Sequence, residues 1–161
     1  MKMASCGFLL LMGLFASAGL IREAGAQGIT FQKTNLTLFN LTGRHEFIVD
    51  VANASNASQT QLGLRYRHDI PPDGGLLTVQ SLAAPGLISI STDGQALPVD
   101  LLFIASDGTV MEVHSCIPTD SSTPITSTSP VGAALELACG TVIRYGILAG
   151  DHVIGGGLGP R

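Results

Sequence analysis

The chain has 161 residues and carries 8 Lys and Arg against 12 Asp and Glu, a formal net charge of −4. Its basic residues form no cluster, so neither nucleic acid nor an anionic lipid surface is an expected partner. Hydrophobic residues make up 45% of the chain and charged residues only 12%, which allows one domain to form a core without a metal or many disulfides.

The N-terminus has the three parts of an export signal. Lys2 is the only charge before an apolar run from Phe8 to Ile21, and the small residues Ala24-Gly25-Ala26 follow. As a helix, this 14-residue run would extend about 21 Å, which is short of a hydrocarbon core of about 30 Å. We therefore predict that residues 1–26 are a signal peptide, that no membrane anchor is retained, and that the mature chain is periplasmic or secreted.

Short strand-like segments separated by turn signals dominate the rest of the chain. The clearest is a hairpin predicted around Asp107-Gly108, where apolar segments flank a dipeptide typical of tight turns. Segments 58–67 and 141–145 are compatible with short helices, although the first also alternates like a strand. Strands are expected at residues 29–41, 47–52, 76–79, 87–90, 99–104, 110–114, 133–137 and 151–154.

This pattern predicts a compact α+β domain, with a mostly antiparallel or barrel-like β-sheet and one or two short helices. We place the domain at residues 27–154, with a disordered glycine-rich tail at 155–161. The Asn- and Ser-rich segment 53–58 offers side chains that suit a helix N-cap. The Pro-, Ser- and Thr-rich segment 117–130 is predicted to be a long loop.

Several short motifs follow one another along the chain. They are Gly63-Leu64-Arg65-Tyr66-Arg67, Gly75-Leu76-Leu77, Leu97 to Ile104, Asp107-Gly108, Glu112-Val113-His114, Pro118, Ala134 to Leu137, Gly140, Gly146-Ile147 and Gly150-Asp151. In this order and spacing they resemble domain-of-unknown-function family 192 over about residues 47–154. The resemblance implies a compact α+β fold in a bacterial or archaeal protein that is often exported, and it implies no agreed activity.

One segment departs from that family's pattern. Where the family usually has Phe-Trp-Met-Lys-Asn-Thr before its Pro-x-Asp element, this chain has Ile90-Ser91-Thr92-Asp93-Gly94-Gln95. The aromatic, Met and Asn side chains are therefore missing here. If this segment lines the family's functional surface, this member has lost or changed the function.

Asp100 is a carboxylate within an otherwise apolar predicted strand, 99–104. Burying it unpaired would cost several kcal/mol, so it should find a cation or backbone N–H donors. The resemblance supplies both Asp100 and Arg67, and a guanidinium can pair bidentately with a carboxylate. We therefore predict an Arg67–Asp100 ion pair, which is either a structural clamp or a substrate-facing pair.

Glu112 and His114 occupy positions i and i+2 of a predicted strand, so they share one face. With Glu136 nearby, they could form a carboxylate–imidazole pair for acid–base chemistry or half of a metal site. The alternative is a solvated strand face, because no third His or Asp has a ligand-like spacing. Arg67, Asp100, Glu112, His114 and Glu136 are our ligand-binding candidates, and no catalytic residue, metal or cofactor is predicted.

Cys116 and Cys139 are the two cysteines of the predicted mature chain. An oxidising compartment makes a disulfide between them chemically possible. The alternative is two separate small apolar side chains. Both interpretations stay open, because a disulfide requires a geometry that spacing does not reveal.

These features favour an exported, non-catalytic module that binds an unknown small ligand or an envelope component through loops 69–75 and 117–130. The argument is that the chain has a sound core and no coherent catalytic set. One alternative is a hydrolase or metal-assisted enzyme that uses the carboxylates and the imidazole named above. Another is a structural envelope protein without a small ligand.

Overall fold

The computed structural model describes residues 28–65, 67–121 and 123–159. The predicted signal peptide at 1–26 lies outside these residues. None of the described helices is long and apolar enough to cross a membrane.

Strands account for most of the regular structure. The described residues form nine strands and two short helices. The strands are β1 (Gln32–Asn40), β2 (Gly43–Asn53), β3 (Gly74–Val79), β4 (Ser89–Ile90), β5 (Val99–Ile104), β6 (Val110–Ile117), β7 (Ile125–Thr126), β8 (Ala133–Ala138) and β9 (His152–Ile154). The helices are α1 (Ala57–Leu62) and α2 (Thr141–Tyr145).

Side-chain capping determines where α1 begins. Asn56 has an extended backbone, and its side chain accepts a hydrogen bond from the N–H of Gln59 at 3.2 Å. Gly63 ends the helix, and its N–H donates to the carbonyl group of Gln59. The segment 58–67 is therefore helical only in its first half, and the strand alternative for that half is wrong.

Seven of the strands form one sheet in the order β6-β5-β8-β3-β2-β1-β9. β2 and β3 run parallel and are connected through α1, whereas the other neighbours in the sheet are antiparallel. β4 and β7 form a separate two-stranded sheet. The predicted loop at 117–130 therefore contains one short strand, and the predicted mostly antiparallel α+β fold is confirmed.

The sheet curls until its two ends nearly meet. The β5–β6 turn lies beside β9, where the N–H of Val153 donates to the carbonyl group of Gly108 at 2.8 Å. Gly108 has a φ of 93°, and a Cβ there would overlap the carbonyl oxygen of Val153. Glycine is therefore required both for the turn and for the contact that closes the sheet.

The curled sheet separates two cores, because successive side chains of a strand point to opposite faces. Phe47 and Leu102 belong to the inner cluster. Leu76 and Leu101 belong to an outer cluster on the central strands, which Leu64 covers from the segment after α1. The functional candidates lie mainly on this outer face.

The C-terminal segment packs against the sheet through residue 159. Leu158 is buried in the inner core, and its N–H donates to the carbonyl group of Gly155 at 2.9 Å. A disordered tail was predicted at 155–161, but residues 155–159 are ordered in the structure. The burial of Leu158 offsets the conformational entropy that the glycine-rich segment loses when it is ordered. Residues 160 and 161 lie outside the described residues.

Candidate functional site

One row of residues crosses the outer face of the sheet. Strand register aligns Lys33, Asp50, Leu76, Glu136, Leu101 and His114 on β1, β2, β3, β8, β5 and β6. Leu76 separates Glu136 from Asp50 on one side, and Leu101 separates it from His114 on the other. Because neighbouring strands are about 4.8 Å apart, each of these separations is about 10 Å.

Glu136 lies in the middle of this row and is only 3% exposed. Its Oε1 accepts a hydrogen bond from Nε2 of Gln95 at 3.0 Å. Burial raises the pKa of Glu136 to about 7, against the opposing effects of the Gln95 hydrogen bond and the positive charge of Arg67. The carboxyl group therefore changes its protonation state near neutral pH.

Gly75 brings the backbone of β3 close to Glu136. A Cβ at Gly75 would overlap the carbonyl oxygen of Glu136 and press on the side chain of Leu137. A side chain at this position would therefore push β3 away from β8, beside the buried carboxyl group.

An open cleft of about 920 Å³ reaches Glu136 from the surface. Its apolar lining includes Leu62, Leu64, Leu76, Ile88 and Ile90. Its polar lining includes Gln61, Arg65, Ser89, Ser91 and Gln95. The volume and the mixed lining match those of small-molecule sites, which usually enclose about 300–1,000 Å³.

Gln95 connects the cleft to the buried carboxyl group. It is 5% exposed and lines the cleft. While its Nε2 donates to Glu136, its Oε1 has no hydrogen-bond partner among the described residues. A buried acceptor without a donor costs about 1–3 kcal/mol, so a ligand donor that reached this buried oxygen from the cleft would be favoured.

Sequence reasoning did not single out Gln95 or this cleft. The one indication is segment 90–95, where the chain departs from the family pattern. That segment contributes Ile90, Ser91 and Gln95 to the lining. It is therefore part of the candidate site, although its residue types alone suggest only a turn.

Asp100 faces the inner side of the sheet, away from Glu136, and does not pair with Arg67. Its Oδ1 accepts a hydrogen bond from the N–H of Cys116 at 2.6 Å, and its Oδ2 accepts one from the N–H of Val142 at 2.7 Å. Asp100 thus finds backbone donors, and the predicted Arg67–Asp100 ion pair is wrong. Strand alternation turns Asp100 toward α2, whereas Arg67 lies over the outer face.

Arg67 pairs instead with Asp50 on β2. Its Nη2 lies 2.7 Å from Oδ2 of Asp50, and Nζ of Lys33 lies 3.0 Å from Oδ1. Burial alone would raise the pKa of Asp50, but the hydrogen bonds and charges of Lys33 and Arg67 outweigh it and hold the pKa below its ordinary value. Among the sequence-predicted candidates, Arg67 acts on Glu136 only through its electric field.

Glu112 and His114 lie side by side on β6, but apart from Glu136. Oε1 of Glu112 accepts hydrogen bonds from the N–H and Oγ1 of Thr128 at 2.6 and 2.7 Å. Its Oε2 lies 3.5 Å from Nε2 of His114. Burial would raise the pKa of Glu112, but the Thr128 hydrogen bonds and His114 outweigh it, so the pKa is lowered. Within the described residues, no group of three or more His, Cys, Asp or Glu could hold a metal ion.

Cys116 and Cys139 form a disulfide in the structure. Their Cα atoms are 4.6 Å apart, within the usual range of about 4.4–6.8 Å. The crosslink joins β6 to the residues just before α2, which are the same two regions that Asp100 holds through backbone hydrogen bonds. Of the two interpretations that the sequence left open, the structure adopts the disulfide.

The loops expected to bind a ligand do not line the large cleft within the described residues. A smaller cavity of about 240 Å³ lies beside His68, Asp69 and Ile70. The 117–130 segment serves instead to hold Glu112, through Thr128. The candidate site is therefore the cleft above Glu136.

Residues 38–155 match the domain family DUF192, described as "Uncharacterized ACR". The chain belongs to this family. The resemblance inferred from the short motifs is therefore confirmed, and the family's description names no activity.

Two solved structures are similar to this member of DUF192. One is a protein of Sinorhizobium meliloti 1021 described as a "putative transcription regulator", with 35% identity and a TM-score of 0.74 over 81% of this chain and 98% of that one. The other is a protein of unknown function from Novosphingobium aromaticivorans DSM 12444, with 25% identity and a TM-score of 0.71 over 77% and 86% of the two chains. No curated protein matches the sequence.

Proposed function

We propose that this DUF192 member is an exported, non-catalytic module that binds a small ligand in the cleft above Glu136. One observation carries the proposal: the open cleft ends on a buried carboxyl group and on an amide oxygen that has no partner among the described residues. A concave, largely apolar surface with a few directed polar groups is the usual form of a small-molecule site.

The positions of the candidate acids and base favour binding over catalysis. Asp100 faces the other side of the sheet and uses both oxygens for backbone N–H groups. The Glu112–His114 pair lies about 10 Å from Glu136, beyond Leu101. A hydrolase that used these four groups would need them within hydrogen-bond reach of one substrate, so their separation speaks against the enzyme alternative.

The description of the Sinorhizobium protein raises the question of nucleic-acid binding. The balance of basic and acidic residues in this chain is relevant to that question. This chain has 8 basic residues against 12 acidic ones. A protein that binds the phosphate backbone concentrates Lys and Arg on one surface. The charge balance therefore favours a small ligand over direct contact with DNA.

A ligand screen tests the proposal. Protein recovered after export from a bacterial host is titrated with a panel of small amines, alcohols, carboxylates and sugars, with amide NMR shifts as the readout. Ser91→Trp places a large side chain in the lining of the cleft, and Ser58→Trp adds the same side chain at an exposed position of α1 outside the lining. We expect compounds that shift amides around the cleft, lose binding in Ser91→Trp and keep it in Ser58→Trp. The absence of any binder, or binding that survives Ser91→Trp, would contradict the proposal.

Export is tested separately by expressing the full chain in a bacterium. We expect protein in the periplasm or medium whose N-terminal residue is Gln27. A chain that begins at Met1 and stays in the membrane fraction after alkaline carbonate extraction would contradict export.

A further inference from the structure

The floor of the cleft has more hydrogen-bond acceptors than donors. Gln95 Nε2 donates one hydrogen bond to Glu136, at 3.0 Å, and the amide oxygen of Gln95 has no partner among the described residues. An ionised carboxylate offers about four acceptor positions and an amide oxygen two. A ligand group that complements this floor must therefore donate several hydrogen bonds.

The carboxyl group of Glu136 has no ion-pair partner among the described residues. Arg67 is the cation whose field reaches it, but its guanidinium is bonded to Asp50 at 2.7 Å. Lys33 shares the same Asp50 carboxylate. Together Lys33, Arg67 and Asp50 carry a net formal charge of +1, but Asp50 lies about 10 Å from Glu136 across Leu76, and no salt bridge joins either cation to the Glu136 carboxylate.

The remaining charged groups near Glu136 are also engaged or distant. On β6, His114 lies beyond Leu101 in the row and faces Glu112. At the cleft, Nη2 of Arg65 lies 3.4 Å from the carboxylate of Asp93. A cation in direct contact with the Glu136 carboxylate would therefore have to be supplied by a ligand in the cleft.

We infer that the cleft takes a ligand whose head group is a primary ammonium and whose body is apolar. The inference rests on the proposed function, because it names the ligand class for the same cleft. An ammonium group provides three N–H donors and a positive charge, which match the Glu136 carboxylate and the Gln95 amide oxygen, an acceptor without a partner among the described residues. Leu62, Leu64 and Ile88 supply apolar lining for the body of the ligand.

Proton release provides an independent signature of this pairing. Burial raises the pKa of Glu136 to about 7, so the free protein holds a proton on this group at pH 6. An alkylammonium keeps its own charge at this pH, since amines of this type titrate near pH 10. Binding therefore requires ionisation of Glu136, and a proton leaves to the buffer.

The test compares three probes with the same aromatic body: 2-phenylethylamine, 2-phenylethanol and 3-phenylpropionate. Each is titrated calorimetrically into the exported protein at pH 7.5. We expect the amine to bind about tenfold or more tightly than the alcohol, as for a charge-assisted hydrogen-bonded pair, and the carboxylate to bind most weakly. Glu136→Gln should remove the preference for the amine, and Ser91→Trp should abolish binding of all three.

The outcomes separate this inference from the proposed function. Equal binding of amine and alcohol, or tightest binding of the carboxylate, with loss in Ser91→Trp, would overturn the ammonium inference and leave the cleft as the site. Binding of none of the three probes would overturn the ammonium inference and leave the proposed function to the wider panel, whereas binding unaffected by Ser91→Trp would overturn both.

Calorimetry of the amine in two buffers of different ionisation enthalpy supplies the second readout. We expect release of nearly one proton at pH 6, falling toward zero above pH 8. Glu136→Gln, checked for folding by its NMR spectrum, should release none. Proton release that is absent from the wild type at pH 6 or unchanged in Glu136→Gln would overturn the inference.

Discussion

Asp100 and Glu136 are two buried carboxylates on neighbouring strands that face opposite sides of one sheet. Register pairs Asp100 with Leu137 and Leu101 with Glu136, so the two acids are diagonal neighbours along β5 and β8. Asp100 is fully buried and Glu136 is 3% exposed. Asp100 satisfies both of its oxygens with backbone N–H groups, whereas Glu136 receives one hydrogen bond from a side-chain amide.

This difference shows what distinguishes a structural acid from a candidate binding acid. On the inner face, the carboxylate holds β6 and α2 to β5, and its acceptors are used within the fold. On the outer face, the acceptors outnumber the donors and border an open cleft. Burial alone does not separate the two cases, but the count of available donors does.

The largest effect is expected for Asp100→Ala. Removal of the carboxylate leaves the N–H groups of Cys116 and Val142 without their acceptor. The substitution removes two charge-assisted hydrogen bonds, so the free energy of unfolding should fall by about 4 kcal/mol. Urea denaturation measures the loss, and a value below about 1 kcal/mol would show that Asp100 does not stabilise the packing of β6 and α2 against β5.

Replacement of both Cys116 and Cys139 by Ser tests the disulfide that joins the same two regions. The crosslink closes a loop with a sequence separation of 23, and its loss should lower the free energy of unfolding by about 3 kcal/mol in the chain-entropy model. Reduction of the wild type should give a similar loss in urea denaturation. Two free thiols in the unreduced protein would contradict the crosslink.

On the outer face, stability should depend on the protonation of Glu136. Its pKa is about 7 in the folded chain against an ordinary value of 4.5, so the folded protein binds more protons between these values and stability falls as pH rises from about 5 to about 7. Glu136→Gln should therefore be about 2–3 kcal/mol more stable than wild type at pH 8 and nearly equal at pH 4.5. Urea denaturation at both pH values measures this difference. A wild type with a higher free energy of unfolding than the variant at pH 8 would show that the Glu136 carboxylate is already well paired.

The smallest effect is expected for Gly75→Ala, which crowds the outer-face site through the backbone. The new Cβ would overlap the carbonyl oxygen of Glu136, and the strand shift should cost about 2 kcal/mol. Gly28→Ala is the matched control, because a Cβ there meets no atom within 4 Å. Equal melting temperatures for the two variants would mean that β3 and β8 tolerate separation beside the cleft.

Predictions from local patterns agree best with the structure. Apolar periodicity located β5 and β8, and Asp107-Gly108 located the hairpin between β5 and β6. The Asn- and Ser-rich segment 53–58 supplied the N-cap Asn56. Each of these features depends on residues that are close in sequence, so the local sequence is sufficient to predict it.

Predictions about partners agree less well, because partners are far apart along the chain. Asp100 bonds residues 16 and 42 positions away, and Gln95 and Glu136 are separated by 41. The predicted Arg67–Asp100 pair failed because alternation placed the two side chains on opposite faces of the sheet. Gln95 is an uncharged residue in a turn-rich segment, so nothing in its neighbours marked it as the donor to a buried acid.

The sequence by itself determined the α+β class, the positions of the principal strands and the membership in DUF192, since these follow from local periodicity, turn residues and the order of short motifs. Only the tertiary structure decided that Asp100 is a structural acid, that Arg67 pairs with Asp50, and that Glu136 and Gln95 meet at a cleft. The physical reason is that a hydrogen bond or ion pair depends on distance and direction in space, which the curled sheet establishes between residues that are remote in sequence.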